Sequence, residues 1–104
     1  MEMNQNAAAR QAISDYGPVL GLTLGRPGKV LGSFQRLQDS LAAITRDPDP
    51  VLRTLAVEAL AAWNAREEKN VIPGWDDQHP KQFAELTRSA RTRLEALYRA
   101  LEFQ

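Results

Sequence analysis

Apolar side chains recur at steps of three and four along most of the chain, and the pattern breaks at a few stretches rich in proline and glycine. The clearest run is Val30, Phe34, Leu37, Leu41 and Ile44. A helix turns once in about 3.6 residues, so this spacing lines one face with apolar groups and leaves Arg36, Gln38 and Asp39 on the other. Ser33 is placed to cap this helix, which then starts near Phe34. The run ends at Arg46-Asp47-Pro48-Asp49-Pro50. A residue that precedes proline is biased out of the helical region, so the helix closes before Pro48. Asp49 is suited to accept a hydrogen bond from the first turn of the next helix, and Pro50 has no N–H to lose at its first position. Helical spacing resumes from Val51 to about Glu68, with Leu52, Leu55, Ala56, Ala59, Leu60 and Trp63 as the core face and Val51 and Val57 broadening it. The link is too short for anything but an antiparallel helical hairpin.

The flanks follow the same logic with less certainty of type. Met1–Asn6 is polar and reads as a frayed end, with Asn4 or Asn6 as a cap. Ala8, Ala9, Ala12, Ile13 and Tyr16 give a narrow helical stripe over 7–16, stopped by Gly17-Pro18. Leu20, Leu22 and Leu24 then alternate with Gly21 and Thr23, which is strand spacing, while glycines at 17, 21, 25, 28 and 32 oppose a long helix. Two readings stay open: an extended segment laying its leucines across the helices, or one that docks on another chain. Gly25–Lys29 reads as a turn. A loop over 70–79 carries Val71, Ile72 and Trp75, and His79 or Asp77 caps a last helix that has Pro80 in its first turn and runs to about Glu102. In that helix Phe83, Leu86 and Ala90 recur eleven residues later as Leu94, Leu97 and Leu101, which holds the stripe on one face; Tyr98 and Phe103 widen it. The expectation is a single all-α domain over 1–104. It is a small bundle of about four helices on a central antiparallel hairpin, with an extended Gly-rich segment between the first two helices.

The hairpin stretch also carries a likeness. Leu41-Ala42-Ala43-Ile44, then Asp47-Pro48-Asp49-Pro50-Val51-Leu52-Arg53, then Ala56 and Ala59-Leu60, resembles one HEAT-type helical repeat. In that family an Asp-Pro turn leads into a helix with a Val-Arg pair and small alanines; here Leu52 splits the pair, and neither flank holds a second copy. The resemblance implies a helical hairpin and a role in protein binding.

Composition removes several classes of function. The chain has 104 residues, one domain by size, and 13 basic residues balance 13 acidic ones. Balance argues against whole-molecule attraction to nucleic acid or anionic membrane. With no cysteine there is no thiol catalysis and no thiolate metal site, and a reducing compartment is favoured. Residues 1–10 lack a signal-peptide core and no stretch approaches a membrane span, so the reading is cytoplasmic with no membrane partner. Ten of the 13 basic residues are arginine and alanine is frequent, a bias of GC-rich bacterial coding.

Candidate chemistry is sparse. Asp76, Asp77 and His79 are the only acid–base or metal-type grouping, and they read as solvated acids beside a capping histidine. Gly25-Arg26-Pro27-Gly28-Lys29 is not a phosphate loop, because Thr23 and Val30 stand where glycine and a hydroxyl residue are needed. The reading is therefore no catalytic residue, no metal and no cofactor. The last helix sets Lys81, Arg88, Arg91, Arg93 and Arg99 against Glu85, Glu95 and Glu102, so 78–104 nets +2 while 47–77 nets −4 and 1–46 nets +2. Glu95 lies four residues from both Arg91 and Arg99, so part of this charge pairs within the helix. The acidic middle and basic helix suit either an intramolecular fit or a self-association surface.

What remains is apolar and arginine surface. Leu20, Leu22, Leu24, Ile72, Trp75, Tyr98, Leu101 and Phe103 lie outside the hairpin stripe and, with Arg88 and Arg91, are the candidate partner-binding residues. Trp75 and Tyr98 are the expected anchors, because aromatic groups supply large contact area at low entropic cost. The expected function is a small non-enzymatic regulator that binds another protein. An inhibitor or antiactivator masking a surface of a transcription factor or enzyme, working as a homodimer, is the concrete form. The alternative is a nucleic-acid binder using Arg88, Arg91 and Arg93 on the last helix, and the third class is an enzyme resting on Asp76, Asp77 and His79.

Overall fold

A computed structural model of the chain describes residues 5–22 and 34–103. Every regular element among them is helical, so the protein is all-α. Helix α1 spans Gln5–Tyr16, α2 Phe34–Ile44, α3 Pro50–Asn70, α4 Trp75–Gln78 and α5 Pro80–Glu102, with a 3-10 turn at Gly17–Leu20 after α1. Asn6 lies inside α1 rather than capping it. Asn4, Leu24, the Gly25–Lys29 turn, Val30 and Ser33 lie outside the described residues.

The link between α2 and α3 is held as capping chemistry requires. Asp49 has extended backbone and its carboxylate accepts from the Val51 N–H at 2.9 Å, with Pro50 opening the helix. Asp47 is buried, and its Oδ1 accepts from the Asp49 N–H at 2.9 Å. Arg53 reaches back from the first turn of α3 and donates to the Asp47 and Pro48 carbonyls at 3.1 and 3.2 Å. The chain therefore meets the polar groups of the link with its own side chains.

The described part of the segment after α1, residues 17–22, is a turn rather than the extended run its leucine spacing suggests. Gly17–Leu20 forms a 3-10 turn, and Gly21 (φ +82°) closes it in the left-handed region. The Leu22 N–H donates to the Gly17 carbonyl at 2.9 Å and the Gly21 N–H to the Pro18 carbonyl at 3.1 Å, the bond pair of a Schellman closure. The reversal at Gly21 sends Leu20 and Leu22 into the same core, where a pleat would also have set them on one side; spacing alone does not separate the two. Gly17 is needed for closeness: a Cβ there would stand 3.1 Å from the Leu22 carbonyl oxygen and 3.2 Å from its Cβ.

One cluster of buried residues draws on every long helix. It contains Ala9, Ala12, Ile13 and Tyr16 from α1, and Leu37, Leu41 and Ile44 from α2. Leu52, Ala56, Ala59 and Trp63 come from α3, and Ala90, Leu94, Leu97, Tyr98 and Leu101 from α5. Leu55 and Leu60 pack at its edge, whereas Val51 and Val57 do not broaden the core face: both point into solvent. Opposite the buried face, a β-branched residue has no core to reach, and the apolar stripe of α3 is narrower than its composition suggests. The broadest helix contact is α3 with α5 rather than α2 with α3. These are the two longest helices, at 21 and 23 residues, against 11 in α2. Arg66 pairs with Thr87 and Glu58 with Arg93, so residue numbers fall along α3 as they rise along α5; the two helices are antiparallel.

Candidate protein-binding surface

The corner where α3 passes through α4 into α5 is built from rings and cations more than from aliphatic groups. The helix α3 ends at Asn70, Gly74 (φ +75°) redirects the backbone, and α4 makes a single turn from Trp75. Trp75, His79 and Phe83 stand four residues apart across the Pro80 start of α5, so they fall on one side. The Trp75 and His79 rings stack at 4.6 Å between centroids with 21° between planes, and Phe83 meets Trp75 edge-on at 6.3 Å. His79 stands at the start of α5, but its side chain makes no capping bond there. Its Nδ1 lies 3.2 Å from the Trp75 carbonyl oxygen instead, so a proton on Nδ1 is donated backward into α4. Asp77 lies within α4 and makes no capping bond either.

Two cations from α3 brace the rings. Lys69 places its ammonium 5.4 Å from the Trp75 centroid. Arg66, only 7 % exposed, lies over the Phe83 ring at 4.9 Å and beside Trp63 at 6.0 Å. Its Nε donates to Thr87 Oγ1 at 3.0 Å, and one terminal nitrogen donates to Glu67 Oε1 at 2.6 Å. A guanidinium is weakly hydrated and planar, so it accepts burial between rings where an ammonium stays at the rim. Sequence reasoning passed over Arg66, although a signal was there: it falls on the buried face of α3, seven residues after Ala59.

The apolar candidate partner-binding residues separate into three groups. Leu20, Leu22, Tyr98 and Leu101 are core residues in this fold, so their side chains are not offered to a partner. Ile72 and Phe103 are exposed and Trp75 is half-buried, and Ile72 and Trp75 share the corner while Phe103 follows the far end of α5. Leu24 lies outside the described residues.

The arginines are engaged by the protein itself. Arg88 pairs with Glu85, Arg93 with Glu58 at 2.9 Å, and Arg99 with Glu95 at 3.8 Å and Glu102 at 3.5 Å. Arg91 is directed away from Glu95 and donates to the Leu20 carbonyl at 3.3 Å, which ties α5 to the turn after α1. Of the acidic loop residues, Asp76 and Asp77 are exposed while the His79 ring packs on Trp75. Among the described residues no three metal-type side chains converge, and no helix is long and apolar enough to cross a membrane.

Comparison with known protein families, with curated proteins and with solved structures finds no match to this chain. Within the HEAT-like stretch over 41–60, the link from Asp47 to Arg53 is held by its own capping and carbonyl contacts.

Proposed function

We propose that this protein is a small non-enzymatic regulator that acts by binding another protein, masking a surface of a transcription factor or an enzyme, and that it works as a homodimer. In this proposal the frame is a bundle of four long helices organised on the α2–α3 hairpin, with the Trp75 corner presented at one end. The observation that carries the reading is the apolar surface left outside a filled core: Phe103 is 85 % exposed, Val71 75 %, Val51 61 % and Val57 53 %. Isolated apolar groups on a surface are ordinary, but Val71, Ile72 and Trp75 fall within five residues of one another at a single corner. A half-buried tryptophan beside two exposed aliphatic groups has the character of an interface anchor. Engagement of Arg88, Arg91, Arg93 and Arg99 within the fold supports reading the last helix as structural rather than as a phosphate-tracking face.

The test is capture from native lysate on immobilised full-length chain, followed by reconstitution with the purified partner. A partner retained by the native protein and lost with Ile72→Glu or Trp75→Ala, at unchanged helical content, is the expected result. Retention that is the same for native and variant chains, or no specific retention at all, overturns the reading.

A further inference from the structure

The exposed apolar groups are not spread over the molecule. Six large ones are exposed among the described residues, and four of them, Val51, Val57, Val71 and Ile72, lie on α3 or directly after it. The face of α3 opposite Leu52, Ala56, Ala59 and Trp63 carries Thr54, Val57, Ala61, Ala65 and Glu68. Glu58 at its edge is held by Arg93, which leaves Glu68 as the one charged group on this face. A 21-residue helix is about 30 Å long, and charged groups normally cover its solvent side. Here Thr54, Val57, Ala61 and Ala65 form the middle of the face, with exposed Arg53, Glu58 and Glu68 around them.

Thr54 and Glu68 stand seven residues to either side of Ala61 on this face, and Val57 and Ala65 four, whereas Val51 and Val71, ten residues away, fall on its opposite flanks. At the start of the helix two adjoining surface hollows of about 440 and 390 Å³ are lined by Thr45, Arg53, Thr54, Val57 and Glu58, and by Pro50, Val51, Thr54 and Leu55. Past its end, Val71 projects into solvent. Charge is uneven along the helix: exposed Arg46 and Arg53 outweigh Asp49 at the start, and exposed Glu68, Asp76 and Asp77 outnumber Lys69 and Lys81 at the end.

We propose that the outer face of α3 pairs antiparallel with the α3 of a second copy of this chain, across a two-fold axis at Ala61. This rests on the homodimer reading above and names its interface. Antiparallel pairing sets Thr54 of one copy opposite Glu68 of the other, and Val57 opposite Ala65. It also brings each Arg46–Arg53 end beside an Asp76–Asp77 end, where a parallel pair would oppose like charges. Ala61 and Ala65 in the middle let the two backbones approach closely. A face that is self-complementary in this way is what a closed two-fold dimer requires.

The test uses the full chain, which has no cysteine of its own. Light scattering over a concentration series is expected to give twice the chain mass for the native protein. Val57→Glu and Ala61→Glu are expected to give the single-chain mass at unchanged far-UV circular dichroism, since both positions are exposed. With a short bismaleimide linker, Ala61→Cys is expected to cross-link to itself. Thr54→Cys is expected to cross-link only when mixed with Glu68→Cys. A native chain that stays monomeric at its highest soluble concentration overturns the homodimer and this face together. A dimer insensitive to Val57→Glu and Ala61→Glu overturns the face and leaves the homodimer standing. Self-linking of Thr54→Cys overturns the antiparallel arrangement, and growth beyond two chains overturns the closed two-fold.

Discussion

Arg66 offers the sharpest check on how the α3–α5 corner is held. Its side chain is buried with that of Glu67, at 8 and 13 % exposure, and the two are 2.6 Å apart. Truncation to alanine removes the donor to Glu67 and to Thr87 Oγ1, along with the cation over the Phe83 ring. Glu67 keeps only a neutral neighbour, the Asn70 amide at 3.3 Å. Removing one partner of a buried pair strands the other charge at a cost of about 3–5 kcal/mol, and the lost stacking adds roughly 1 kcal/mol or less. Since Glu67 retains some contact with water, the expected penalty for Arg66→Ala is about 3–4 kcal/mol. That is a large part of the ~5–15 kcal/mol that a domain of this size commands. In urea unfolding followed by circular dichroism, it moves the midpoint down by about 2 M at unchanged slope. The double variant Arg66→Met with Glu67→Gln keeps the aliphatic packing and leaves no unpaired charge, so it is expected within roughly 1 kcal/mol of the native protein. If the single variant costs less than about 1 kcal/mol, or the double costs as much as the single, the corner is not held by a desolvated pair.

Two further outcomes follow from the turns. Asp49→Ala removes the side chain that accepts from the Val51 N–H, and is expected to lower stability by about 1 kcal/mol in the same titration, with Asp49→Ser recovering most of it. Gly74→Ala is expected to cost about 1 kcal/mol through its φ of +75° alone, because nothing lies within 4 Å of an added Cβ. Gly74→Asn should then be milder, as asparagine tolerates that region; equal costs for the two would point to a hidden clash instead.

The regular helices were legible because several local rules agreed at each end. Ile44 closes α2 before Pro48, Asp49 caps α3, Pro50 and Pro80 open helices, and Leu94, Leu97 and Leu101 are buried as their eleven-residue spacing implies. Where rules conflicted, the spacing misled. Leu20 and Leu22 read as a strand, but a left-handed glycine and two backbone hydrogen bonds make a turn. Val51 and Val57 read as core because hydrophobicity was counted without a direction; the packing of α5 against α3 settles which side is dry. Tyr98 read as an interface anchor and is buried, since the same apolar width that widens a contact face also fills a core. His79 read as a cap from its place before Pro80, but the neighbouring indole offers stacking that an N-terminal turn does not.

Charge shows how the candidate surface shifted. An acidic middle and a basic last helix are equally suited to pairing within one chain or between two. Glu58 with Arg93 shows the pairing used within the chain, and Glu85, Glu95 and Glu102 take up Arg88 and Arg99 along α5 itself. Pairs as exposed as these contribute at most about 1 kcal/mol each, so they orient α5 on α3 more than they stabilise the fold. Their effect on recognition is larger. Once the arginines of α5 are occupied, exposed Arg46 and Arg53 stand with Asp49 at the start of α3, and exposed Glu68, Asp76 and Asp77 outnumber Lys69 and Lys81 at its end. The proposed binding therefore rests on the outer side of α3 and its terminal corner, where Val57, Val71 and Ile72 are exposed.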